Sequence, residues 1–237
     1  MGGLLVVGAR RLQESQSTLA PLAWAELQEN SIFGNEQKPD LCLLAAVRLM
    51  LAGITTPRIE CGDRLERNPS QQRGSQGCDC LLAQPPFGQK LERAIASLYR
   101  IPSSSGENLF LQHILSSLRP GGRAVVLVSE GLLFRGGAEE HLRKMMLNDY
   151  RVNAVVSLPA GAMMPYASIK PACWWFCSRT ASRSIRCWLC RTTRRRAALR
   201  VPRGAGKCNR SPTFCGEWWK AAPSDRLRDV LPLAPVA

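Results

Sequence analysis

Apolar positions along this chain recur with two periods. Leu111, Ile114, Leu115 and Leu118 fall at i, i+3, i+4 and i+7, which predicts a helix. It should stop at the turn signal Arg119-Pro120-Gly121-Gly122. Leu41, Leu44, Ala45, Arg48 and Leu49 show similar helical spacing after Pro39, a residue suited to a first helical turn, and Gly53 closes that element. Residues 4–13 and 138–148 read as two further helices. In the second, Glu139 and Glu140 precede Arg143 and Lys144, an order that suits the helix dipole. Between the helices lie short apolar runs of strand type. Residues 31–34 and 57–61, Cys78 to Ala83, Ala124 to Val128 and Val152 to Leu158 each end at a polar or turn residue. Residues 67–77 and 88–106 lack periodicity and read as loops. Alternating strands and helices with short connections predict a parallel α/β sheet, which binds ligands beyond the carboxyl ends of its strands. Glu36, Asp63, Gln84 to Phe87 and Ser129-Glu130 fall at those ends.

Composition sharpens this picture at one place. The 237 residues carry a formal net charge of +14, and 45% are hydrophobic, enough for a real core. No window reaches the ~18 consecutive apolar residues that a membrane span needs, and the N-terminus lacks a secretory pattern. The expectation is a soluble, cytoplasmic protein without membrane contact. A positive balance suggests a polyanionic partner, but the charge is uneven. Residues 1–170 hold 18 basic and 15 acidic side chains, whereas residues 171–237 hold 14 and 3. Six of ten cysteines and five of six tryptophans also lie beyond Lys170. Two domains are therefore expected, 1–170 and a Cys/Trp/Arg-rich tail, 171–237.

Chemistry concentrates in Gln84-Pro85-Pro86-Phe87. The prolines fix φ and restrict the residue before them, so an amide and carbonyls are held in place with a ring alongside. Such a platform suits a flipped-out base, with acceptors on an exocyclic amino group and a ring on the π-face. It is equally the sequence of a proline-rich turn that ends a strand.

The surrounding residues carry a resemblance. Leu118-Arg119-Pro120-Gly121-Gly122-Arg123-Ala124-Val125-Val126, Gly131-Leu132-Leu133-Phe134-Arg135-Gly136, Leu158-Pro159-Ala160-Gly161 and Pro165-Tyr166 occur in this order after Gln84-Pro85-Pro86-Phe87. Gly34-Asn35-Glu36, Leu49-Met50-Leu51-Ala52-Gly53-Ile54 and Gly62-Asp63 precede it. Together they resemble the N6-adenine DNA methyltransferases, specifically the modification subunits of type I restriction-modification systems, over residues 2–170. The resemblance implies a Rossmann-like sheet with helices on both faces and S-adenosylmethionine as cofactor. It implies catalysis at Gln84, Pro85, Pro86 and Phe87, and cofactor contacts at Gly2, Gly3, Glu36 and Asp63. Glu36 would accept from the ribose hydroxyls and Asp63 would lie near the cofactor's adenine. The implied partners are double-stranded DNA, specificity and restriction subunits, and a second modification subunit.

Three departures bear on activity. Gln84 stands where the family has Asn, which lengthens the reach by one C–C bond, ~1.5 Å. The chain begins within the family's Gly-rich loop, so the family's first strand is expected to be missing and its neighbours to lack a ladder partner. After Lys170 the resemblance stops. The sudden change in composition points to a shifted reading frame or an irregular tail. That tail also holds Cys173-x3-Cys177, Cys187-x2-Cys190 and Cys208-x6-Cys215, thiols of a kind that bind zinc. The spacings match no zinc module, and the tail has no His. Arg194-Arg195-Arg196 and the tryptophans offer phosphate contact and stacking instead. A non-catalytic fragment that binds nucleic acid or other subunits is the alternative to an enzyme. No role falls to Cys61, and disulfides are not expected to dominate in a cytoplasmic setting.

Overall fold

The computed structural model describes residues 2–15, 25, 28–29, 31–66, 77–178 and 188–191. The chain divides into two compact units, Met1–Arg67 and Asn68–Ala237. The loop expected at 67–77 lies outside the described residues except for Gly77.

The first unit contains α1 (Gly3–Ser15), β1 (Phe33–Glu36), α2 (Pro39–Leu51) and β2 (Arg58–Cys61). β1 and β2 pair in parallel from Phe33↔Arg58 to Glu36↔Cys61. Helix α2 opens on Pro39, as its sequence predicts, and turns Cys42, Ala45 and Leu49 inward. Ala9, Ile32, Leu49 and Ile54 form the unit's small core, with Leu5, Val6 and Ile59 packed against them. A Cβ at Gly34 would meet the side-chain ends of Leu5 and Ile59, which would have to shift to admit it. A disulfide joins Cys42 of α2 to Cys61 at the end of β2, with a Cα–Cα distance of 6.1 Å. Cys61, without a role in the sequence reading, is therefore a cross-link.

The second unit is a five-stranded sheet in the order β3-β4-β6-β5-β7. Its strands are β3 (Cys78–Ala83), β4 (Leu118–Ser129), β5 (Tyr150–Ser157), β6 (Pro171–Ser178) and β7 (Trp188–Arg191). Its α-helices are α3 (Arg93–Ala96), α4 (Gly106–Ser116) and α5 (Ala138–Asp149). The short α3 interrupts a segment expected to be loop throughout. β3 and β4 are parallel, but β6 runs antiparallel between β4 and β5. The sheet is thus mixed rather than wholly parallel. No helix intervenes between β5 and β6, so the chain returns down the sheet instead of crossing over it.

Strand β6 corrects the expectation of an irregular segment directly after Lys170. Ala172, Trp174 and Phe176 are fully buried, alternating with less buried neighbours as one inward strand face. They complete a core with Ala124, Val126 and Val128 of β4, Leu111, Ile114 and Leu115 of α4, and Leu142 and Met146 of α5. β4 also starts earlier than its apolar run, at Leu118, because Gly121 (φ 82°) and a register shift let the Arg119–Gly122 turn residues continue the strand. On α5, Lys144 donates to Glu140 at 2.6 Å and holds that carboxyl below its ordinary range.

Among the described residues β1 pairs only with β2, and β3 is an edge strand paired only with β4. Among the described residues, no helix is long and apolar enough to cross a membrane.

Candidate functional site

In the first unit the candidate residues gather at the carboxyl ends of β1 and β2. Glu36 closes β1, and its Oε1 accepts the Gln37 amide at 3.0 Å. Its carbonyl accepts the Gly62 amide, also at 3.0 Å, which ties the two strand ends together. Asp63 follows β2, and its Oδ1 accepts the Leu65 amide at 2.9 Å, so it caps a short turn of 3₁₀ helix, Arg64–Glu66. Asp63 Oδ2 accepts Gln37 Nε2 at 3.0 Å. Gln37 thus links the two acids expected at the cofactor. Asn35 adds a clamp, its Nδ2 donating to the carbonyls of Glu60 and Gly62 at 3.2 and 3.3 Å. Neither amide's link was visible in sequence, since each joins residues about 25 positions apart.

Gly2 and Gly3 lead into α1. Gly2 takes φ 67°, and a Cβ on it would lie 3.0 Å from Ala45 Cα of α2. Glycine is needed there for close approach of backbone to helix. Gly3 is the first residue of α1, where unpaired amide groups favour anions and polar ligands.

In the second unit β3, β4 and β5 run in one direction, so Gln84, Glu130 and Leu158 all follow strand ends at one edge of the sheet. Gln84 and Pro86 are exposed, Pro85 is buried and Phe87 is half-buried. The buried proline anchors the segment and leaves the amide outside. Gly88 turns the chain at φ 67°. The segment then pairs with the entry to α4, where the Gly106 amide donates to Gln89 O at 2.8 Å and Leu91 to Ser104 O at 2.9 Å. The sequence therefore placed Gln84–Phe87 correctly at a strand end, but not the partner that braces it.

Two acids complete this edge. Glu107, buried in the first turn of α4, accepts the Ser129 amide at 2.7 Å and the Ser129 hydroxyl at 2.8 Å. Glu130 Oε1 accepts Ser157 Oγ at 2.7 Å and Lys170 Nζ at 2.6 Å. β4, β5 and the start of β6 are locked together at the ends that carry the loops. Glu107→Gln keeps one acceptor and turns an amide donor toward Ser129. It should cost about 1–3 kcal/mol in urea unfolding. A loss under 0.5 kcal/mol would show that Glu107 does not hold this edge.

Of the tail's thiols, Cys173 and Cys177 are not placed as a chelating pair. Cys173 and Cys177 lie on one strand, four residues and ~13 Å apart, so they cannot share an ion. Burial also pushes the Cys173 thiol up, away from the thiolate that metal binding requires. Among the described residues no group of three His, Cys, Asp or Glu could hold a metal. Cys187, Cys208, Cys215, Arg194–Arg196, Trp218 and Trp219 lie outside the described residues.

The sheet order, with its one antiparallel strand and its loops at the carboxyl edge, is that of a Rossmann-like α/β fold. The chain belongs to the N-6 DNA Methylase family, which matches residues 1–195, beyond the composition break at Lys170. It is 31% identical over 144 residues to the type I restriction enzyme EcoEI methylase subunit of Escherichia coli. That match covers 60% of this chain and 29% of the relative. A solved type I restriction-modification system, studied for complex assembly and conformational transition, aligns with TM-score 0.69 at 37% identity. The alignment covers 75% of this chain and 36% of that one. The crystal structure of a modification subunit of a type I restriction enzyme from Vibrio vulnificus aligns with TM-score 0.65 at 27% identity. It covers 86% of this chain and 44% of the other. The chain thus spans less than a third of the first relative's length and under half of each structure.

Proposed function

We propose that this chain provides the catalytic-domain part of a type I restriction-modification methylase subunit, transferring a methyl group to the N6 amino group of a flipped adenine in double-stranded DNA. The observation that carries this reading is Gln84-Pro85-Pro86-Phe87 directly after β3, at the sheet edge where the loops after β4 and β5 also emerge. On this proposal the Gln84 amide oxygen and the Pro85 carbonyl accept the two amino hydrogens. Adenine N6 is a poor nucleophile because its lone pair is delocalised into the ring. Two preorganised acceptors localise that pair as the new bond forms. Phe87, half-buried beside them, offers its face for stacking.

S-adenosylmethionine is the cofactor in this reading, and bound there it supplies an electrophilic methyl on a sulfonium centre. The first unit's residues fit such a group. Glu36 and Asp63 end neighbouring parallel strands and are linked through Gln37, two acids side by side for hydroxyl and amino donors. Gly2 and Gly3 would let backbone approach the ligand closely. The proposed assembly joins specificity and restriction subunits and a second modification subunit, in the cytoplasm.

Methyl transfer from labelled S-adenosylmethionine to DNA, with a specificity subunit present, tests the reading. No transfer despite cofactor binding, and no response to changes at Gln84, would remove it. Gln84→Asn withdraws the amide by ~1.5 Å to the family's length and is expected to raise the rate by up to ~10²-fold. Equal rates for both versions would show that the amide's reach is not limiting.

A further inference from the structure

We propose that Cys42 and Cys61 form a thiol–disulfide couple that sets the order of the Glu36–Asp63 end of the first unit. The two cysteines tie the first turn of α2 to the last residue of β2. The candidate acids lie on either side of this link. Glu36 is six residues before Cys42, and Asp63 is two residues after Cys61. Cys42 Sγ stands 3.3 Å from the carbonyl oxygen of Glu36, and that same carbonyl accepts the Gly62 amide. In the dithiol, Cys42 donates its S–H to this carbonyl. In the disulfide it has no proton to donate, and the Gly62 bond is backed by a covalent link one residue away. Redox state therefore acts directly on the junction that positions Glu36 and Asp63.

The accessibility of the two sulfurs gives the exchange a direction. Cys61 is exposed and Cys42 is buried. With oxidised glutathione as the oxidant, the Cys61 thiolate attacks one glutathione sulfur and releases one reduced glutathione. Cys42 then displaces the second from the mixed disulfide. Two protein thiols and one oxidised glutathione become one disulfide and two reduced glutathiones. Reduction runs the same steps backwards, entering again at Cys61. Cys80, Cys173 and Cys177 are free thiols, so the chain offers internal controls.

The consequence for cofactor binding rests on the reading of Glu36 and Asp63 as a cofactor half-site; the couple itself does not. The full chain is equilibrated in glutathione buffers of graded ratio, alkylated and mapped by mass spectrometry. Hydrogen exchange is followed across residues 33–66, and S-adenosylhomocysteine binding is measured by calorimetry. The Cys42–Cys61 bridge should form before any bridge involving Cys80 or Cys173. On its formation, amides of residues 36–42 and 62–65 should exchange about tenfold more slowly. Cys42→Ser and Cys61→Ser should abolish the redox response while keeping the slow exchange of the second unit. Failure of the bridge to form, or equal exchange in both redox states of the unsubstituted chain, overturns the proposal. If exchange responds and S-adenosylhomocysteine binds the disulfide form more tightly, both proposals stand. If exchange responds and neither form binds it, the couple stands and the cofactor reading falls. Equal binding by both forms would confine the couple to local order and overturn its control of the site.

Discussion

Replacement of Trp174 by alanine is expected to destabilise the second unit by about 3–5 kcal/mol in urea. Trp174 is fully buried at the middle of β6, opposite Val126 of β4 and Val155 of β5. Both neighbours are themselves buried. Truncation removes the largest side chain of the core and leaves a cavity bounded by two strands that cannot collapse without breaking their ladders. Such a cost is comparable to the whole stability of many domains. Trp174→Phe, which keeps most of the volume, should therefore be measured alongside and lose about half as much. Tyr166→Ala, at a side chain 87% exposed in the loop between β5 and β6, should stay within about 0.5 kcal/mol. A loss under 1 kcal/mol for Trp174→Ala would mean that the segment after Lys170 does not hold the sheet together.

That experiment falls on the element least legible in the sequence. Pro171 to Cys177 is a continuous apolar run, which is how a buried strand reads. Its cysteines and tryptophans belong to a change of composition that points elsewhere. Burial follows side-chain apolarity and alternation, and Ala172, Trp174 and Phe176 satisfy both whatever the composition around them. Helices α2 and α4 were legible because an apolar stripe at 3.6-residue spacing has few other uses, and α5 because its acids precede its bases. The ends of β1, β2 and β3 were legible because a strand must stop where polar turn residues begin. Strand direction was not. Period and length are the same for β6 whether it runs parallel or antiparallel, and only the connection without a helix decides it. The same limit applies at the site. Gln84, Glu36 and Asp63 stand out as polar residues after apolar strands. Gln37, Glu107 and Lys170 act through partners distant in sequence, from Gln37–Asp63 to Lys170–Glu130. No local pattern encodes such pairs.

Arg143 presents a different kind of burial. It lies on α5 with its side chain inside the unit, and its Nη1 donates to the carbonyls of Leu132 and Arg135, each at 2.8 Å. One guanidinium nitrogen thereby holds the loop after β4 from below, while Phe134, between the two acceptors, remains 51% exposed. Arg143→Ala should cost about 3–4 kcal/mol, since two carbonyls lose an ionised donor and the stem leaves a void. Lysine keeps an ionised donor but lacks the rigid guanidinium plane that aims it, so Arg143→Lys should recover about half of that loss. Because the acceptors are neutral carbonyls, the penalty should persist in 0.5 M salt. By contrast, breaking the exposed Arg100–Asp149 pair (2.7 Å) should cost under about 1 kcal/mol and less still in salt. Limited proteolysis reports the loop directly. Cleavage after Arg135 should accelerate in Arg143→Ala well beyond what its global stability requires, because the local opening is released first. Cleavage rates that track global stability alone would show that Arg143 supports the core and not the loop. In that case Phe134 and Arg135 would owe their position at the sheet's carboxyl edge to β4 and the Gly131 turn, whose Cβ position is already filled by the Arg135 side chain at 2.9 Å.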